Sequence, residues 1–282
     1  SLAHYGGPWD SHAVRHLLRR TLFGASRGDI DYFLALGLQG AIDQLLDDSQ
    51  PLPLPPVKEY TTTGATTPDT NIAAGQTWVN DPNNDGTIAF LRRASFKKWW
   101  VGTMIRQERT LREKMTLFWH NHFATESSDV GNAQYVFKHH KLLRTNALGN
   151  FKSLVRAVTI DPAMLVYLNG QNNNKTAPDE NYAREIQELF VIGKGPGAGF
   201  TESDVKAAAR VLTGWRNSSA RIESYFDAAW HDASNKQFSS FYGNRIITGR
   251  TGTTAGDVEL TDLLDMFFGA EEASLFLCRR LY

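Results

Sequence analysis

Apolar residues recur at helical spacing through most of this chain of 282 residues. The longest run extends from Ile88 to Phe118. Further runs cover residues 11–48, 132–158, 180–192 and 257–282. A period of three to four residues places apolar side chains on one face of an α-helix. We therefore expect a mainly α fold, a single multi-helix orthogonal bundle forming one domain.

The helical pattern weakens in two places. Between residues 220 and 250, short apolar runs alternate with turn residues, which predicts a small antiparallel β element. Residues 49–87 are rich in Pro, Thr, Asn and Gly, which predicts a loop-rich insertion. Within it, Asp81–Thr87 resembles the start of a calcium loop, but its twelfth position is Arg92 where a bidentate Glu is needed. We interpret this segment as an Asn/Asp-rich turn.

Local signals predict where several helices begin and end. A helix starting near Arg27 should stop at Gly37, with a second short helix following to Leu46. Thr201 and Asp204 have the spacing of a capping box, which predicts a helix start.

Composition excludes some classes of protein. The 30 basic residues balance 30 acidic ones, and no block of like charge favours a nucleic-acid partner. Cys278 is the single cysteine, which excludes an intrachain disulfide and a cysteine-based zinc site. No apolar run approaches the roughly 20 residues of a membrane span, so we expect no transmembrane segment.

The N-terminus lacks a signal-peptide pattern, so the protein is either cytoplasmic or has lost a leader. Because the last amphipathic run simply stops at Tyr282, we expect the natural chain to continue.

The segment Asp179–Gly193 puts four charged residues on a predicted half-buried helix. Glu180, Arg184 and Glu188 are four residues apart, so they can form a structural ladder of ion pairs. Glu185 lies one position off this line, at the edge of the apolar stripe. It is the best candidate for an inward-facing metal ligand or general base, with Glu180 second. The predicted apolar stripe comprises Tyr182, Ala183, Ile186, Leu189 and Phe190.

His120 and His122 form a His-x-His pair inside an aromatic cluster. At a helix end such a pair can bind one metal ion, whereas on a regular helix the side chains diverge by about 200°. His231 is a third candidate ligand, and Glu185 would complete a shell for a divalent metal ion, the candidate cofactor. The alternative is structural: histidines paired with backbone or carboxylate groups in an aromatic core.

The remaining polar motifs do not predict a functional site. His139 and His140, followed by Lys141 and Arg144, are interpreted as a solvated helix face. No His-Glu-x-x-His or Gly-x-Ser-x-Gly motif is present, which argues against zinc-protease and serine-hydrolase chemistry. The glycine-rich turn at residues 193–197 follows a helix and lacks the Walker A spacing, so it is not a nucleotide loop.

Several segments follow one another in a distinctive order along the chain: His16–Gly24, Arg112–Met115, Trp119–Phe123, Glu180–Glu185, Glu188–Phe190, Leu212–Trp215, and His231–Asp232 with Lys236. In this order they resemble the bacterial DUF1800 family of uncharacterised proteins. The resemblance implies a mainly helical protein that is exported, periplasmic or extracellular, with its signal peptide removed. It also implies a candidate partner, because such proteins are often encoded beside a DUF1501-type protein.

Two functional hypotheses follow. The first is an exported enzyme with a polar, metal-containing site built from His120, His122, His231 and Glu185, supported by Glu180 and Arg184. The second is a non-catalytic cell-envelope binding or scaffold protein. In that hypothesis the charged cluster is structural, and exposed Trp and Tyr side chains contact a glycan, a small molecule or a partner.

Overall fold

The computed structural model describes residues 4–66 and 68–282. Twelve α-helices and four short strands in these residues confirm the mainly α prediction. The helices are α1 Ser11–Thr21, α2 Arg27–Leu46, α3 Gly86–Ile105, α4 Arg112–His122, α5 Ser127–Val130, α6 Ala133–Thr145, α7 Phe151–Thr159, α8 Pro162–Tyr167, α9 Asn181–Glu185, α10 Glu202–Val211, α11 Ala255–Phe268 and α12 Glu271–Leu281. No helix among the described residues is long and apolar enough to cross a membrane.

The predicted antiparallel β element is confirmed as two small sheets. Strands β1 Trp215–Ser218 and β2 Glu223–Phe226 form one pair, with Trp215 opposite Phe226. Strands β3 Lys236–Gln237 and β4 Ile246–Ile247 form the other. Such short pairs depend on packing against helices for stability.

The local helix signals are confirmed. Thr201 and Asp204 form the predicted capping box at the start of α10. The helix that begins at Arg27 is interrupted at Gly37, whose φ of 71° lies in the left-handed region that glycine tolerates.

The long Ile88–Phe118 run forms two helices rather than one. α3 ends at Ile105 and α4 begins at Arg112. In the intervening loop, the backbone N–H of Leu111 donates to the carbonyl of Leu45 at 2.7 Å. This bond to the end of α2 is a tertiary constraint that periodicity alone does not contain.

Arg92 binds two acidic residues of the loop-rich insertion. Its guanidinium is completely buried and donates to Asp69 through Nε at 3.0 Å and to the Asp81 carboxylate at 2.6 Å. It also donates to the Asp81 carbonyl at 2.6 Å. A fixed side-chain cation therefore sits between Asp69 and Asp81, the first residue of the calcium-like segment. A buried guanidinium of this kind needs such carboxylate partners.

The buried apolar residues form three clusters. The largest joins α4, α7, α10 and α11 with the segment that contains Glu185. A second surrounds Trp78, Phe96 and Phe137, on α3, α6 and the insertion. The third packs α1 against α2 around Leu18 and Phe33. Of the histidine-bearing helices, α6 contributes to both of the first two clusters and α4 to the first.

Candidate functional site

The segment that carries Glu185 changes its helical geometry at that residue. α9 ends at Glu185 and continues as a π-helical stretch, Ile186–Val191. A π-helix has wider turns than an α-helix, and π-helical stretches are frequent at functional sites. Oε2 of Glu185 is buried and has no hydrogen-bond partner. Burial, and then the charge of Glu188, raise the pKa of the Glu185 carboxyl above its ordinary value.

The change of geometry also corrects the predicted apolar stripe. Leu189 was expected to be buried, but 49% of it is exposed. Gln187 is completely buried instead; its amide donates to the Ala183 carbonyl and accepts from the Tyr242 hydroxyl. Beyond residue 186 the wider π-helical turn rotates each side chain away from its α-helical position. The other predicted members of the stripe, Tyr182, Ala183, Ile186 and Phe190, are buried.

The ladder predicted around Arg184 is present. Its guanidinium lies 3.2 Å from Glu180 and 3.5 Å from Glu188, and it is bidentate to Glu202 of α10. Glu188 is paired in addition with Lys194. Glu180 and Arg184 are both partly exposed, so they form a network at the surface beside Glu185.

His122 ends α4 inside an aromatic shell. Its Nε2 donates to the carbonyl of Phe190 at 2.9 Å, while its Nδ1 is buried without a partner. Carbonyls at the end of a helix lack partners within the helix, so this bond satisfies one of them. Burial lowers the pKa of His122 to about 4. His122 thus joins α4 to the π-helical stretch.

The neighbours of His120 differ from those of His122. Its ring lies 4.8 Å from that of Trp100 and 6.4 Å from that of His140. Burial, and then the charge of His139, lower the pKa of His120 to about 4. The ring is therefore neutral at neutral pH.

His231 belongs to a separate polar cluster, beside α11. Its Nδ1 donates to the Thr213 carbonyl at 2.9 Å, and its Nε2 lies 3.1 Å from Glu259. Glu259 also accepts from Lys236 at 2.5 Å, and both of these side chains are completely buried. Each charged group here has a partner, so the cluster fits a structural role.

The expected shell of His120, His122, His231 and Glu185 is not assembled. Each histidine has its own set of neighbours, as described above. Among residues 4–66 and 68–282, no group of three or more His, Cys, Asp or Glu side chains is placed to hold a metal ion. The structure keeps His120 and His122 apart because α4 is helical through both residues, so their side chains diverge.

The family comparison agrees with the sequence motifs. The model of the family described as Protein of unknown function (DUF1800) matches residues 16–282. The chain belongs to the DUF1800 family. No curated protein matched this DUF1800 chain in the search made. The search of solved structures also found no match.

Sequence reasoning missed a buried polar cluster on α4 and α6 of this DUF1800 chain. The prediction that His139 and His140 lie on a solvated face is wrong, because both are buried, as is Arg144. Arg144 is bidentate to Glu113 at 2.6 and 2.8 Å, and His139 lies 3.0 Å from Asp161. A signal was available: the two histidines are three and four residues from the apolar Val136 and Leu143, on the buried face.

A cavity adjoins this cluster. It measures about 610 Å³ and lies between the proline-rich segment at residues 51–55 and helices α3 and α4. Trp99 and Glu113 are part of its wall. Trp99 donates to the Leu54 carbonyl at 2.7 Å and packs against the Arg144 guanidinium. This hydrogen bond and this cation–π contact fix one wall of the cavity.

Proposed function

We propose that this DUF1800 chain is an acid–base enzyme in which the carboxyl group of Glu185 transfers the proton. One observation carries the proposal: Oε2 of Glu185 is the only carboxylate oxygen in the described part of the chain that is buried without a hydrogen-bond partner. A group with this task must keep one oxygen available for a reacting atom.

Glu188 supports the assignment of roles. It lies three residues after Glu185 and forms ion pairs with Arg184 and Lys194. Glu185 has no ion-pair partner, and burial raises the pKa of its carboxyl above the ordinary value. Two nearby carboxyl groups with different environments can serve as an acid and as a charged stabiliser. In a hydrolysis, Glu185 would protonate the leaving atom and recover a proton from the attacking water.

The test is Glu185→Gln, measured for stability and for activity. A carboxyl with a raised pKa in the folded state costs stability as pH rises through that pKa. Replacing the carboxyl of Glu185 by an amide should therefore raise the midpoint temperature of thermal unfolding at pH 7 and change it little at pH 3. Turnover of a panel of chromogenic esters, amides and glycosides should be lost.

Glu188→Gln is the matched control. This substitution removes the carboxylate that pairs with Arg184 and Lys194, so it should lower the midpoint temperature of thermal unfolding at pH 7. A Glu185→Gln protein that is destabilised like this control, or that keeps the activity of the unmodified chain, would overturn the proposal.

A second candidate function is glycan binding at the cavity beside Trp99. The indole and the prolines provide apolar surface of the kind that packs against sugar rings. Arg106 and Glu108, at the same cavity, carry groups able to bond hydroxyls. A volume of about 610 Å³ lies within the range of roughly 300–1,000 Å³ for small-ligand sites.

A glycan array with the unmodified chain and an Arg106→Gln variant tests this function. Binding that falls in the variant, and not in a Lys206→Gln control on α10, supports it. Equal binding by both variants, or no binding to any glycan, contradicts it.

The location of the protein is a further part of the proposal. We infer export to the periplasm or the exterior from the family resemblance, with a DUF1501-type protein as candidate partner. Fractionation of the native cells, followed by affinity capture from the fraction that contains the chain, tests both. Recovery in the cytoplasmic fraction would contradict export, and capture without a DUF1501-type protein would contradict the partner.

A further inference from the structure

A second cavity, of about 450 Å³, lies between α6, the junction of α7 with α8, and the β1–β2 hairpin. None of its lining residues belongs to the Glu185 region or to the Trp99 cavity. Its apolar wall comprises Leu142, Ala157, Ile160, Pro162 and Ile222. The volume falls in the range of small-ligand sites, roughly 300–1,000 Å³.

Two lysines give the cavity positive charge. Lys138 and Lys141 are three residues apart on α6, so they lie on neighbouring parts of one helix face. Lys138 donates one hydrogen bond to the Ile222 carbonyl, which leaves two of its three N–H groups. The lysines that form ion pairs in the described residues are Lys152, Lys194 and Lys236.

The acidic groups at the cavity do not neutralise these lysines. Glu223 pairs with Arg221 at 3.1 Å. Asp161 lies 3.0 Å from His139 and accepts from two backbone N–H groups at the start of α8. Both carboxylates are thus satisfied by other partners. The lysine charges stay available to a ligand.

The hairpin side of the cavity contains a strained residue. Ile222 has a φ of 54°, which is costly for a β-branched side chain. It is held there because its side chain is buried and its carbonyl is bound by Lys138. Residues in such conformations cluster at ligand sites, where the surrounding structure maintains them.

We propose that this cavity binds a carboxylate with a short alkyl chain. The alkyl chain would pack against Leu142, Ala157 and Ile160, and the carboxylate would lie at Lys141 within reach of Lys138. An apolar wall beside unpaired ammonium groups matches both parts of such a molecule. A cationic or uncharged molecule of the same length matches only the wall.

Calorimetric titration of the full chain with octanoate, octan-1-ol and octylamine tests the proposal. Octanoate should bind, octan-1-ol should bind more weakly, and octylamine should not bind. Lys141→Gln should weaken octanoate binding by about threefold to tenfold, and Lys141→Arg should restore most of it. The effect of Lys141→Gln should shrink at high salt.

Two variants complete the test. Lys206→Gln removes an exposed lysine of α10 and should bind octanoate as the unmodified chain does. Ala157→Leu adds bulk to the apolar wall and should weaken octanoate and octan-1-ol alike. Equal affinity for octanoate and octan-1-ol, unchanged octanoate affinity in Lys141→Gln, or no octanoate binding at millimolar concentration would each overturn the proposal.

Discussion

Nη1 of Arg144 donates a hydrogen bond to Nδ1 of His140, one helical turn away, over 3.0 Å. A guanidinium has only donors, so Nδ1 must be the acceptor and the neutral ring carries its proton on Nε2. Burial, and then the charge of Arg144, lower the pKa of His140 well below its ordinary value. His140 therefore presents an N–H group at Nε2. A metal ion could bind that nitrogen only if the bond to Arg144 were lost.

Arg144→Met tests how strongly this cluster depends on its charge pair. The substitution leaves Glu113 buried without its bidentate partner, which should cost roughly 3–5 kcal/mol of unfolding free energy. Urea denaturation monitored by circular dichroism measures the loss. In the double variant Glu113→Gln/Arg144→Met, the loss should be smaller than the sum of the two single losses. Additive losses would show that the two side chains do not interact.

The buried histidines should make stability depend on pH. Burial lowers the pKa of His120 and His122 to about 4, whereas the ordinary value is 6.5. As pH falls below 6.5, the unfolded chain binds protons that the folded chain excludes, so the folded state is destabilised. The melting temperature should be flat above pH 7 and fall between pH 6.5 and 4. His120→Gln should make this slope shallower; an unchanged melting temperature between pH 7 and 5 would contradict the prediction.

Gly249→Ala should destabilise the region that holds Glu259. A Cβ at this position would lie 2.1 Å from the Ala233 carbonyl oxygen, so the backbone must shift. The adjacent Arg250 donates its N–H to Glu259 at 2.7 Å and would be displaced. We expect a loss of about 1–3 kcal/mol or more by urea denaturation.

Gly28→Ala is the control for that substitution. Gly28 lies in α2, and its added Cβ would meet only the Ser26 hydroxyl oxygen at 3.7 Å. Replacing a helical glycine by alanine gains up to about 1 kcal/mol. If Gly249→Ala is equally well tolerated, the close approach to Ala233 does not constrain the fold.

Glu259→Gln should lower the free energy of unfolding, because it removes the ion-pair partner of the buried Lys236. Without the carboxylate, the completely buried Lys236 ammonium loses its ionic partner. Breaking a buried pair in this way costs roughly 3–5 kcal/mol. Thermal unfolding measures the change, and Lys236→Met in the same chain should recover part of it. No recovery in the double variant would mean that the pair itself is not the source of the loss.

Sequence reasoning succeeded where the determining interactions are local. The capping box of Thr201 and Asp204 involves four consecutive residues, and the break at Gly37 follows from one residue's backbone freedom. The ladder from Glu180 through Arg184 to Glu188 needs only helical spacing. Each of these features is contained in a short window of sequence.

It failed where partners come from distant parts of the chain. Arg144 and Glu113 are 31 residues apart, and His122 and Phe190 are 68 apart, so no local pattern pairs them. Leu189 was misplaced because helical periodicity assumes an α-helix, and the chain there is π-helical. Glu185 lies just before that change, where α-helical spacing still applies, and its Oε2 is buried as an inward-facing position requires. Its role as a proton carrier stays a prediction.

Arg92 has a consequence for the surroundings in which this chain can fold. An acidic loop that depends on a dissolved ion is ordered only where that ion is supplied, and it loosens when a chelator removes the ion. Here the positive charge at Asp69 and Asp81 is covalently part of the chain, so it cannot be diluted or chelated away. The insertion at residues 49–87 should hold its shape equally well in calcium-rich and calcium-poor media.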